Sequence, residues 1–473
     1  MVRGFVNRVE ELAKLDRWWT SQHQSAVVWG RRRVGKTALL QHFAFKKPTV
    51  FHTGADRGEV DELALLATLV HQVLPGGSRD LGTRPYTTWD DALDDLAART
   101  TDRSALLILD EFPELARSSP NLPSLLRAFL DRSAGSTGLR ILICGSAVRH
   151  MEALQEERHP LYGRFDLSLL VHPFGPHDAA LILPDLAPAD RALVYGIVGG
   201  MPMYLSWWDQ AENVDQNLTR LVCEPGGRLA TEGDLVLRTE VDGGDYAQAV
   251  LYAIATGRTQ YGEIKDHIKA EPARTLDRLV ELRLVDRLQP VGESERSKRR
   301  IYRIVDPFIR FHLGVASRYR TEIERGLGPS ILPVLRLALD DHMGDVYEEA
   351  FRHHLRALAA QSLLPIDGPV VAIGPWWDHA SQNEIDALVL AGRSATPALV
   401  GEAKWTERED ARNLVGSLRR KVADGLHTEP DSLRYAVCSR TSLDHVPNGV
   451  LGLTAADLFS PKVGVRSRAR KRT

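Results

Sequence analysis

The chain is poor in sulfur and in rings, with three cysteines and five methionines in 473 residues and only 7% Phe, Trp and Tyr. Cys144, Cys223 and Cys438 are far apart, odd in number, and lack C-x-x-C spacing or neighbouring histidine pairs. That pattern excludes a disulfide framework or zinc module as the organising device and makes the three small core residues of a reducing compartment. No uninterrupted apolar run approaches the roughly 18 residues of a membrane span. The first eight residues lack the apolar core of a signal peptide, so a cytoplasmic protein with no membrane partner is expected. An excess of one charge is missing too: 60 Lys and Arg face 62 Asp and Glu, for a formal charge of −2. Any nucleic-acid surface must therefore come from local clusters. No internal repeat stands out, and low complexity is confined to a basic tail. The length exceeds what one hydrophobic core organises and implies about three or four domains.

Against that background, Gly30-Arg31-Arg32-Arg33-Val34-Gly35-Lys36-Thr37-Ala38 stands out. It follows an apolar run at 26–29 and fits G-x-x-x-x-G-K-[ST], a loop whose backbone N–H groups cradle phosphates at the start of a helix, here expected over 37–45. In such a loop Lys36 reaches the β- and γ-phosphates of ATP and Thr37 holds Mg²⁺ through its hydroxyl. Downstream, the apolar run 105–109 ends in Asp110-Glu111. A strand buried on both faces and ending in two acids suits a Walker B strand, with Asp110 in the Mg²⁺ shell and Glu111 polarising the attacking water.

Strands expected at 26–29, 49–53, 105–109, 140–144 and 167–172 alternate with helical stretches at 61–74, 89–98 and 123–130. This is the pattern of a parallel sheet with helices on both faces, so residues 1–175 read as a P-loop NTPase core. Residues 176–242 read as a helical lid, with a Gly-Gly-x-Pro turn at 199–202 and a stretch, 213–242, that resists placement. Three helices (246–255, 261–268, 272–283) and two strands (284–288, 301–305) follow in the order of a winged helix-turn-helix, giving a domain at 243–320. Glycine and proline near 327–333 mark a further break. Beyond it, 334–460 shows an αβββαβ order with a helix at 344–358, strands at 370–373, 384–390, 398–405 and 433–439, and a helix at 409–423. Residues 461–473 form the basic tail.

In that last domain Glu384 and Asp386 share one strand face, and Glu402 and Lys404 share one on the next. Asp386 and Glu402 then suit a Mg²⁺ or Mn²⁺ ion, Lys404 positions or deprotonates water, and Glu348 supplies a further acid, a set fitted to phosphodiester hydrolysis. A solvated hairpin with a Lys–carboxylate pair gives the same pattern. For DNA, the third helix offers Arg274, Arg278 and Arg283, the wing Arg296, Lys298, Arg299, Arg300 and Arg303, and the tail Lys462, Arg466, Arg468, Arg470, Lys471 and Arg472. Winged helices lay such groups along phosphates, although they also serve as protein docking modules. His312, His353, His354 and His379 read as surface or helix-packing residues, and Trp376-Trp377 as packing a loop on the last sheet.

With Phe5-Val6-Asn7-Arg8, the loop 30–37, Asp110-Glu111, Cys144-Gly145-Ser146, 160–164, Gly199-Gly200-Met201-Pro202, Asp306-Pro307-Phe308 and Glu402-Ala403-Lys404 together, the chain resembles a prokaryotic, largely archaeal, ATPase family of the STAND/AAA+ type with a C-terminal PD-(D/E)-x-K, restriction-endonuclease-like α/β domain. The resemblance implies that Arg8 and Pro202 lie near adenine. It also implies that Ser146 senses the γ-phosphate and that Arg164 is a candidate charge-stabilising arginine, presented within the chain or to a neighbouring subunit. Two functions stay open. One is a nucleotide-gated ATPase coupled to DNA binding and metal-dependent cleavage. The other is a non-nucleolytic regulatory or scaffold protein whose last domain only binds DNA or a protein partner, with homo-oligomerisation open in both.

Overall fold

A computed structural model describes residues 5–21, 23–241, 244–294, 297, 299–379 and 382–464. The chain divides into two compact units, Met1–Pro173 and Phe174–Thr473.

In the first unit, β1 (Ser25–Trp29), β2 (Thr49–Thr53), β3 (Ala105–Asp110), β4 (Leu139–Gly145) and β5 (Leu167–Leu170) form one parallel sheet in the order β2-β3-β4-β1-β5. The strands are short and nearly all apolar because both faces are covered; Leu106, Leu107, Ile108 and Leu109 are fully buried. The helices Glu59–Val73, Trp89–Arg99 and Leu122–Ser133 supply one packed layer through Leu66, Trp89, Leu93 and Leu126. Each strand expected from the sequence is present, β2 at its expected bounds and the others with ends moved by one or two residues. The fifth stops at Leu170 rather than 172, although Val171 N–H still donates to Trp29 O at 2.8 Å. The strand order matters for function. β4 lies between β1 and β3, so the end of β4, Gly145-Ser146, falls between the loop after β1 and the acids after β3.

The second unit begins with the helices Pro176–Ile182, Pro188–Val198 and Pro202–Leu205, each with proline in its first turn, where the missing N–H costs nothing. The Gly199-Gly200 turn is demanded by packing. Gly199 has φ 65°, and a Cβ on Gly200 would meet Phe174 O at 1.9 Å. Asp306, which accepts from Phe308 N–H at 2.9 Å, lies against Gly199, so the Asp306-Pro307-Phe308 and Gly199-Gly200 segments meet at one place. The stretch 213–242 is the helix Val214–Leu218 running into a π-helical turn (Thr219–Cys223), followed by Arg228–Glu240.

Three helices, Gly244–Ala255, Tyr261–Ile268 and Ala273–Glu281, lead into antiparallel β6 (Val285–Leu288) and β7 (Ile301–Ile304). The break expected near 327–333 is shorter and lies at the start of that range, a turn at 325–327 after the helix Arg320–Glu324. One 33-residue helix, Gly328–Ala360, then runs through the rest, carrying Pro333 inside. Pro329 sits in the first turn, where it is tolerated, and packing of Leu335, Leu339, Met343, Tyr347 and Phe351 outweighs the one hydrogen bond Pro333 cannot donate.

The last sheet has the order β14-β12-β10-β9-β8, with β8 (Val370–Trp377), β9 (Glu384–Ala391) and β10 (Thr396–Lys404) antiparallel. Strands β12 (Arg434–Ser439) and β14 (Val450–Thr454) continue it in parallel from β10. A two-stranded ribbon pairs β11 (Arg408–Asp410) with β13 (Ser442–Asp444), and the helix Ala411–Lys421 covers one face through Leu414, Val415 and Leu418. Sequence reading missed β11, β13 and β14 and cut β8 short. Trp376 and Trp377 therefore lie within a strand, 8% and 7% exposed, rather than on a loop.

Candidate functional site

The loop after β1 owes its curl to backbone conformations that side chains resist. Gly30 has φ 151°, Gly35 φ 93° and even Arg33 φ 66°, and a Cβ on Gly30 would meet Val171 O at 2.4 Å. Lys36 begins the helix Lys36–Ala44, and its buried ammonium donates to the carbonyls of Gly30 and Arg31 at 2.8 and 3.0 Å, spanning the loop. Thr37 Oγ1 donates to Asp110 Oδ2 at 3.0 Å. Hydroxyl and carboxylate thus converge from two elements, a donor pair that suits Mg²⁺. Asp110 is 2% exposed, its other oxygen accepts from Glu111 N–H at 3.1 Å, and Glu111 turns the chain at φ 49°. From the intervening strand, Ser146 Oγ donates to Glu111 Oε2 at 3.0 Å. Beside them the buried Cys144 thiol is held well above its usual range, by burial first and by Asp110 next, and stays protonated.

In the second unit, Asp386 on β9 and Glu402 on β10 come together across the strand pair, where Asp386 Oδ2 accepts from Ala403 N–H at 2.8 Å. Glu402 is 5% exposed and carries two ion pairs, with Lys404 and with Lys421, each at 2.7 Å. Glu348 approaches from the long helix. Its carboxyl is pushed up to about 8, by burial first and then by Asp386, while Asp386 rises to about 6 through burial and Glu402. Asp386, Glu348 and Glu384 share a cavity of about 220 Å³ with Tyr302 and Trp376. Two carboxylates suffice in kind for Mg²⁺, which fills its shell with water and phosphate oxygens. Among the described residues no group of three His, Cys, Asp or Glu side chains is disposed to hold a metal ion.

Residues 5–207 match a family model described as an ATPase domain predominantly from Archaea. The N-terminal part of the chain is an ATPase domain. Residues 313–414 match a second model, described as archaeal and bacterial proteins of unknown function. An uncharacterized protein of Methanocaldococcus jannaschii is 26% identical over 416 residues, 86% of this chain and 88% of its own. An uncharacterized ATP-binding protein of the same organism is 48% identical over 44 residues, 9% of this chain and 75% of its own. Among solved structures, a Walker-type ATPase of Pyrococcus abyssi is similar at 19% identity and a TM-score of 0.49, covering 65% of this chain and 96% of that one.

Within the ATPase domain, Arg8 is 5% exposed and ties the N-terminal segment to the loop, donating to Val34 O and His172 O at 2.8 Å each and pairing with Glu11. Arg31 is buried, Arg32 exposed, and Val34 fully buried. Ala38 continues the helix. Arg164 is bound to Asp131 at 2.6 Å. Pro202 belongs to the second unit, where it opens a four-residue helix.

The basic clusters are partly committed elsewhere. Arg303 donates to Glu349 at 2.7 Å and Arg299 to Trp377 O at 2.7 Å, so two wing arginines expected along phosphates serve contacts within the chain. The physical reason is what lies opposite each: Arg303 meets Glu349 of the long helix, and Arg299 meets the end of β8. Arg274 and Arg283 are exposed, as is Lys462, whereas Arg296, Lys298, Arg466, Arg468, Arg470, Lys471 and Arg472 lie outside the described residues. His177, His353 and His354 cluster, with His177 and His354 buried and 3.1 Å apart and His353 half-buried beside them; desolvation pushes His353 and His354 down to about 4 and 3. His379 is exposed. No helix among the described residues is long and apolar enough to cross a membrane.

Sequence reasoning missed Lys421 and Arg352. Lys421 sits at the end of a helix with no local spacing to Glu402. Arg352, 1% exposed, donates to Asp386 O at 2.6 Å and to Glu349 at 2.9 Å. Its one signal is helical spacing, four residues after Glu348.

Proposed function

We propose that the protein is an ATP-hydrolysing switch whose second unit engages DNA through a winged-helix module and a PD-(D/E)-x-K-like terminal domain. The observation that carries the ATPase half is the convergence of Thr37 and Asp110, with Lys36 folded across the same loop. In this reading Gly30–Thr37 bind the phosphates, Lys36 offsets the charge of the β- and γ-phosphates, and Thr37 and Asp110 hold Mg²⁺. The ion, when bound, spreads the charge that develops on the transferred phosphoryl group. Glu111 orients the attacking water and takes its proton, and Ser146 sets the direction of the Glu111 carboxylate. Arg8 lies beside the adenine, and Arg164 becomes available for charge stabilisation once released from Asp131.

In the terminal domain, Asp386 and Glu402 take a divalent cation, Lys404 steadies water, and Glu348 relays a proton. Burial, followed by repulsion from Asp386 at Glu348 and from Glu402 at Asp386, raises both carboxyls and suits groups that exchange protons near neutral pH. A second reading, in which the terminal domain binds phosphodiesters without cutting them, draws support from the two lysines that occupy Glu402. The test is ATP turnover and plasmid cleavage with Mg²⁺ or Mn²⁺. Lys36→Ala is expected to lose nucleotide binding, and Glu111→Gln to keep it while hydrolysis drops at least about 100-fold. Cleavage lost in Asp386→Ala supports the nuclease; absence of cleavage in every condition leaves the binding reading.

A further inference from the structure

Both oxygens of the Glu402 carboxylate are taken. Lys404 Nζ lies 2.7 Å from Oε1 and Lys421 Nζ 2.7 Å from Oε2. Lys404 stands two residues along the same strand, hence on the same face. Lys421 arrives from another element, the last position of the helix Ala411–Lys421, and a π-helical turn, Val422–Leu426, begins at the next residue. Widened turns of this kind re-aim side chains and recur at functional positions. One lysine would satisfy a buried glutamate. Two ammonium groups bring an ionised Asp386–Glu402 pair to neutrality, so a divalent cation meets a neutral cluster rather than a doubly negative one. Of the two lysines, Lys421 is the more enclosed, its side chain 22% exposed against 40% for Lys404.

We propose that Lys421 is a built-in competitor for the divalent-cation position of the terminal domain, holding the Glu402 oxygen that the cation would take. The cation then enters only as Lys421 withdraws, and a negatively charged strand that draws the lysine away favours loading. This rests on the reading of Asp386 and Glu402 as cation-binding carboxylates. The sign of the effect separates it from a structural role. A competitor, when removed, strengthens cation binding, whereas a lysine that merely orients Glu402 weakens it when lost.

The experiment titrates Mn²⁺ into the full-length, nucleotide-free protein by calorimetry, with folding checked by circular dichroism. The share of binding lost in Asp386→Ala defines the terminal site and sets aside any Mn²⁺ held by the ATPase domain. Lys421→Met is expected to bind about tenfold more tightly at that site, the order of effect of removing one charge close to a divalent ion. Lys421→Arg, which keeps the charge, is expected to stay within about twofold. Lys421→Gln gives a second removal of charge if the methionine variant does not fold. Equal or weaker binding in the folded charge-removed variant overturns the competitor while leaving the site. If neither the wild-type protein nor any Lys421 variant binds more Mn²⁺ than Asp386→Ala, the cation site itself falls, and the competitor with it.

Discussion

At Gly30 the chain passes so close to β5 that no side chain fits: the φ of 151° lies where only glycine is at ease, and Val171 O occupies the place of a methyl group. Gly30→Ala is expected to cost about 1–3 kcal/mol of stability and to abolish nucleotide binding, checked by thermal unfolding and titration with a fluorescent nucleotide. Titration behaviour is also decided residue by residue. Glu348 holds its proton up to about pH 8 in the folded chain, against an ordinary 4.5. Between those values the native state binds more protons than the unfolded one, so this residue makes stability fall as pH rises. Buried His353 and His354 push stability the other way over the same range, so urea unfolding at pH 5.5 and pH 8 should display that loss as the difference between the wild type and Glu348→Gln, the wild type losing more or gaining less as pH rises. An unchanged slope in the variant would place the pH dependence elsewhere.

Among the elements, the helix Gly328–Ala360 carries the most, since it brings Glu348, Glu349 and Arg352 to the terminal sheet while Met343 and Val346 pack on Gly196. Glu349 receives Arg303, Arg352 and Arg356, and although burial opposes it, these three hold its carboxyl well below the usual range. This charge cluster, in which Arg352 is buried and Glu349 half-exposed, joins β7 to the acidic site. Pro333 interrupts the helix's hydrogen-bond ladder at its second turn, so Pro333→Ala is expected to stabilise the second unit by up to about 3 kcal/mol, read as a higher unfolding midpoint at constant m-value. The proline also explains why the start of the helix was illegible: Gly328, Pro329 and Pro333 read locally as a break, and the packing that overrides them comes from residues distant in sequence. Short β11 and β13 were hidden for a similar reason, three residues each being too few for a period-two pattern to register.

For the whole molecule, the balanced charge means that the proposed DNA contact would rest on a few exposed arginines. If the helix Ala273–Glu281 faces a DNA groove, Arg274→Ala should lower the slope of log affinity against log salt by about one phosphate contact, measured by fluorescence anisotropy across salt concentrations. An unchanged slope would mean that this face docks elsewhere. Arg299 and Arg303, by contrast, are bound within the chain, so their loss should register first in stability.

The sequence by itself determined the phosphate loop, the acids ending β3, the parallel sheet around them and the Asp386, Glu402, Lys404 trio, because each is set by local spacing: a glycine-framed loop, a doubly buried strand, alternate residues on one strand face. Tertiary structure alone decided what each group touches. It placed β4, and with it Ser146, between the loop and Glu111, turned Arg164 onto Asp131, drew Arg299 and Arg303 onto contacts within the chain, and brought Lys421 from a separate helix onto Glu402. Those pairings depend on strand order and helix packing, which join residues far apart in the chain and leave no periodic trace in it.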